Sequence, residues 1–177
     1  MLVAWLFLLF SPMAEAKAPQ GCWVPGRVPY VGRTDITFMT GPDAAADEAK
    51  RAAVEMRDPM PTPPGGWVFV KIARADIDAA AARNHTVVVA ANGREVLRVE
   101  GDQHGIPEGP YTPARYWTSF MSVPIKSAEF PLTVYAIDKI MAHRCAWELS
   151  ADGDVAFLKS GGPPLETPQD QPALTPP

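Results

Sequence analysis

From residue 67 to residue 159 the chain repeats one pattern: a short apolar run, then a cluster of turn-forming residues. The sharpest instance is Asn92-Gly93, set between the runs 86–91 and 94–100. Asn-Gly suits the tight turn whose two central residues both need positive φ, so the pair predicts a hairpin. Short strands with no long amphipathic helix between them pair with near neighbours and stack sheet on sheet. The expected fold is therefore mainly β: an antiparallel β-sandwich of immunoglobulin-like or C2-like shape over 67–159.

Alternation within the runs predicts which residues face the core, because side chains on a strand point to opposite faces in turn. Val68, Val70 and Ile72 share one face, as do Leu132, Val134 and Ala136, and as do Cys145, Trp147 and Leu149. The first hairpin leaves its register open, since 86–91 is apolar on both faces. A two-residue turn sets Val88 beside Leu97 and Thr86 beside Val99, whereas a bulge at Gly93 sets Val88 beside Val96. Residues 74–83 are alanine-rich and suit a helical turn crossing a sheet edge, and Asp152-Gly153 closes the last hairpin.

The flanks read differently. Residues 2–10 are all apolar, Pro12 follows, and Ala14-Glu15-Ala16 supplies a small-x-small cleavage pattern, so 1–16 is read as a signal peptide. The apolar run is shorter than the ~20 residues a membrane helix needs, so no transmembrane span is expected in the mature chain. Residues 17–66 form an N-terminal extension, with a short strand at 34–39, a helix at 43–56 and a proline-rich linker at 58–66. Thr40 is placed to cap that helix, with Pro42 in its first turn. Ala45, Ala49, Ala52, Ala53 and Met56 are its expected docking face, and Asp47 and Arg51 its exposed ion pair. Residues 160–177 are rich in proline and poor in apolar side chains, which predicts a disordered tail.

The net charge of −4 comes with no basic run, which excludes nucleic acid as an expected partner. Export places the chain in a secreted or periplasmic setting, where Cys22 and Cys145, its two cysteines, are expected to form a disulfide. Closing so long a loop stabilises by about 4–5 kcal/mol in the chain-entropy account.

Chemistry leaves few marks. No Gly-x-Ser-x-Gly elbow is present, and paired cysteines provide no thiolate, so no catalytic residue is assigned. His85, His104 and His143 lack metal-pair spacing, so neither a metal nor another cofactor is expected, and His143 reads as a solvated loop residue. The candidate binding loop is 101–115, which sets Asp102, His104, Glu108, Tyr111 and Arg115 among glycines and prolines.

The run Leu132-Thr-Val-Tyr-Ala-Ile-Asp138 resembles the strand of C2 domains that leads into a calcium loop. The resemblance covers this strand alone, and Lys139, Ile140 and Met141 follow where a second carboxylate belongs. It implies a calcium site at Asp138, with Asp76 and Asp78 as further oxygen donors. These features lead us to expect a non-catalytic accessory or binding module of the cell envelope or extracellular space. It would be a monomer or weak oligomer, binding an unidentified protein or small ligand. An exposed aromatic patch drawn from Tyr111, Tyr116 or Trp117 is the expected signature. The alternatives are a hydrolase or lyase using the 101–115 loop, and a calcium-dependent lipid or carbohydrate binder.

Overall fold

The computed structural model describes residues 21–24, 32–111, 116–126 and 129–161. The expected signal peptide, the tail beyond 161 and Arg115 lie outside the described residues, as does the Tyr111 side chain. In chain order the strands begin with β1 (Cys22–Val24) and β2 (Gly32–Met39), followed by helix α1 (Gly41–Glu55). Strand β3 (Gly66–Arg74) leads to a short helix α2 (Ile77–Ala80) and a 3-10 turn (Ala82–Asn84). The hairpin β4 (His85–Ala91) and β5 (Arg94–Glu100) is followed by β6 (Glu108–Tyr111) and β7 (Tyr116–Ile125). Strands β8 (Leu132–Asp138), β9 (His143–Leu149) and β10 (Val155–Ser160) are the last of the described elements.

These strands make two antiparallel sheets, ordered β1-β2-β3-β7-β6 and β10-β9-β8-β4-β5. One apolar core joins them. Val68, Val70, Ile72 and Val123 of the first sheet pack with Val87, Val89, Val134 and Trp147 of the second. The residues that alternation assigns to the inner faces are the residues in this core, because a period of two leaves no other way to bury a strand's apolar set. The first sheet starts well before residue 67: β2 pairs along its whole length with β3, from Gly32↔Arg74 to Met39↔Trp67. Ile36 and Phe38, from the segment ahead of the linker, therefore belong to the same core.

At Asn92-Gly93 both residues have positive φ (50° and 76°), as the tight hairpin turn demands. The pairing starts as a two-residue turn, Ala91↔Arg94 and Ala90↔Glu95, then shifts so that Val89 faces Leu97 and Val87 faces Val99. Val96 is the extra residue, and it is exposed. Neither expected register is found, and the reason is burial. Without the bulge Arg98 would lie opposite Val87 on the core face; with it, Leu97 and Val99 pack against the core instead.

Helix α1 is capped by Thr40, whose hydroxyl accepts the Asp43 N–H at 3.3 Å, and it ends at Met56 in a left-handed conformation. Its docking face differs from the alanine pattern. Gly41, Ala44, Glu48 and Ala52 are buried, while Ala45, Ala49, Ala53 and Met56 are exposed. A carboxylate lies on the inner face because the chain just beyond the helix supplies its partners. Glu48 accepts from Arg57 and, at 2.9 Å, from the Met60 N–H.

Candidate functional site

Two arrangements of side chains stand out, one open and one buried. The open one is a groove of about 330 Å³ between α1, residues 60–62 and the outer face of the first sheet. Its floor is Trp67 and Phe69, which β3 turns outward because Val68, Val70 and Ile72 face in. Their rings stack at 6.5 Å between centroids and 21° between planes. Asp47 and Arg51 stand on the helix rim, paired at 3.3 Å and both exposed, and Ser122 of β7 borders Phe69. Glu48 fixes the remaining wall. Hydrogen bonds from Arg57 and then from the Met60 N–H hold its carboxyl below the usual carboxylate range and tie Met60 and Pro61 to the groove.

The buried arrangement lies at one end of the sheets. Arg74 ends β3 and is fully buried. Its Nε and Nη2 donate to Asp138 Oδ2 at 3.2 and 3.0 Å. Nη2 also donates to Thr34 Oγ1, and Nη1 donates to the carbonyls of Arg33 and Ala73. The other Asp138 oxygen accepts the N–H groups of Ile140 and Met141. His85 Nε2 lies 3.4 Å from Asp138 Oδ2, and its Nδ1 lies 3.1 Å from the Ala81 carbonyl, so Nδ1 carries a proton and donates it there. Burial pushes the Asp138 carboxyl up. The hydrogen bond and charge of His85, the Met141 N–H and Arg74 outweigh that and bring it down to about 2. With Arg74 and Asp138 almost wholly removed from solvent, this cluster clamps β2 and β3 to β4 and β8.

Cys22 and Cys145 are joined as expected, tying β1 of one sheet to β9 of the other. His143 is not a solvated loop residue. It opens β9, is 8% exposed, and its Nε2 lies 3.9 Å from Cys22 Sγ. Burial, and next to it the opposing influences of Asp138 and Arg74, leave its imidazole below the ordinary value.

The described residues of the 101–115 loop are placed apart from the groove. Asp102, His104 and Glu108 are exposed, and the Asp102 carboxylate accepts the backbone N–H of His104 at 2.9 Å. Glu108 and Tyr111 belong to the edge strand β6. Tyr116 and Trp117 are half-buried. The three carboxylates considered for calcium have other duties: Asp138 binds Arg74, Asp76 caps α2, and Asp78 pairs with Arg83.

The groove was missed in the sequence because its parts come from three stretches, yet one signal was present. Alternation in β3, with Val68, Val70 and Ile72 facing in, already puts Trp67 and Phe69 together on the non-core face. No family model matches the chain, and neither curated proteins nor solved structures give a match.

Proposed function

We propose that this protein is an exported, non-catalytic binding module, secreted or periplasmic, and that its groove takes a carbohydrate. Its architecture we take to be an immunoglobulin-like or C2-like sandwich, monomeric or weakly associating. The observation that carries the reading is the stacked Trp67–Phe69 floor with Asp47 and Arg51 at its rim. A sugar offers a flat C–H face to an aromatic ring and adjacent hydroxyls to a paired acceptor and donor. An exposed i, i+4 ion pair is worth only a few tenths of a kcal/mol, so Asp47 and Arg51 can turn to a ligand at small cost. The groove's volume lies in the range of small-ligand sites.

The hydrolase or lyase reading has less support, because Asp102 spends its carboxylate on a backbone N–H and the groove walls include none of the described residues of the 101–115 loop. The calcium reading is weakened by the separate duties of Asp76, Asp78 and Asp138.

The test is an NMR titration of the isotopically labelled protein with soluble oligosaccharides of glucose, N-acetylglucosamine and mannose. At least one series should shift the Trp67 indole N–H together with Phe69 and Ser122. Trp67→Ala should weaken that binding roughly tenfold or more, the usual cost of losing a tryptophan anchor. Arg51→Ala, on the exposed helix face, should weaken it without moving the melting transition. If no oligosaccharide moves these resonances, or if only peptides do, the carbohydrate assignment is wrong.

A further inference from the structure

We propose that Cys22, Cys145 and His143 form a site for monovalent copper when the disulfide is reduced, so that the protein holds either a disulfide or a metal. His143 and Cys145 are two apart on β9 and so share its inner face, and Cys22 reaches them from β1 in the other sheet. All three are buried, and their donor atoms lie within 4.8 Å of one another. This is the only such group of three among the described residues.

The imidazole is 8% exposed and lies directly against the bridge. Burying a polar ring costs free energy unless it is well hydrogen-bonded. The partner found for its Nε2 is Cys22 Sγ at 3.9 Å, and sulfur is a weak acceptor. As a ligand its position is apt. A metal bound at about 2.3 Å to sulfur and about 2.05 Å to nitrogen, with ordinary bond angles, sets those two donors roughly 3.6–3.8 Å apart. At 3.9 Å the nitrogen stands slightly beyond that span from one sulfur, so a small shift, together with separation of the two sulfurs, would complete the set.

Two thiolates and one imidazole are a soft, three-membered set. Thiolates select copper(I) among the common ions, and imidazole also suits copper. Zinc would call for a fourth ligand.

The chemistry balances with a dithiol as reductant. The Cys22–Cys145 bond breaks as two electrons and two protons pass to its sulfurs, and the dithiol closes to its own cyclic disulfide. Copper(I) then displaces the two thiol protons to water, forming two bonds to sulfur and one to Nε2. The opening would be at β1, which is three residues long and, among the described residues, pairs with β2 as the edge of its sheet.

The protein is reduced anaerobically with dithiothreitol, desalted, and titrated with copper(I) against the chromogenic chelator bicinchoninate. One copper per chain should be taken by the reduced protein and none by the oxidised one, and X-ray absorption should find two sulfurs and one nitrogen. His143→Ala keeps both cysteines, so its oxidised form should retain the disulfide and a cooperative melt while its reduced form binds copper roughly tenfold or more weakly. Four results overturn the proposal: the reduced protein loses to the chelator, His143→Ala binds as tightly as the parent, zinc is taken in preference to copper, or the strand signal in far-ultraviolet circular dichroism is lost on reduction.

Discussion

Arg74 satisfies all five of its N–H donors inside the protein, on Asp138, Thr34 and the carbonyls of Arg33 and Ala73. A buried guanidinium is tolerable only when matched in this way, which makes its carboxylate partner hard to replace. Asp138→Asn leaves the cation without its counter-charge and should cost about 3–5 kcal/mol, read as a lower urea midpoint. The same carboxylate, held mainly by His85 and then by the Met141 N–H and Arg74, sets an acid limit. The Asp138 carboxyl is lowered from 3.8 to about 2, so the unfolded chain binds a proton that the folded chain refuses. The resulting stabilisation is complete above about pH 4, falls as the pH drops towards 2, and amounts to roughly 2 kcal/mol. Denaturant unfolding followed from pH 5 to pH 2 should show this slope in the parent and its loss in the asparagine variant.

Among the elements, β5 shows how a register is chosen. Asn92-Gly93 fixes the turn, but burial of Leu97 and Val99 fixes the pairing beyond it, and Val96 is left as the bulge. Deleting Val96 should therefore convert β5 to a regular strand with Leu97 still opposite Val89. The expected loss is under about 1 kcal/mol, as for other surface changes, in a thermal melt. A collapse of the fold on that deletion would show that the bulge has a role of its own. Helix α1 teaches the complementary lesson. Thr40 and Pro42 announced its start correctly, but alanine spacing misjudged its docking face, because alanines impose so weak an apolar stripe that the Glu48 hydrogen bonds decide the rotation.

For the molecule as a whole, both cross-sheet ties described here sit at the same end. The disulfide joins β1 to β9, and Arg74 joins β3 to β8. The disulfide spans a sequence separation of 123, for which the chain-entropy account gives about 5 kcal/mol. Ordinary domains hold about 5–15 kcal/mol in total, so reduction should remove a large share of the stability and lower the urea midpoint markedly. Equal midpoints with and without dithiothreitol would show that the bridge does not constrain the unfolded chain.

What the sequence by itself determined was local in origin. Val68, Val70 and Ile72 announced an inner face, Asn92-Gly93 a hairpin, and Thr40 a helix start, because a strand's alternation, a turn's dihedral angles and a helix cap are each satisfied within a few residues. The pairing of Cys22 with Cys145 was legible for a different reason: the chain contains no third cysteine. Only the tertiary structure decided that His143 is buried beside that bridge, that Arg74 meets Asp138, and that Trp67 and Phe69 floor a groove walled by α1. Each of these joins residues far apart in the chain, and the free energy that fixes them comes from burial and charge pairing, which have no sequence period to read.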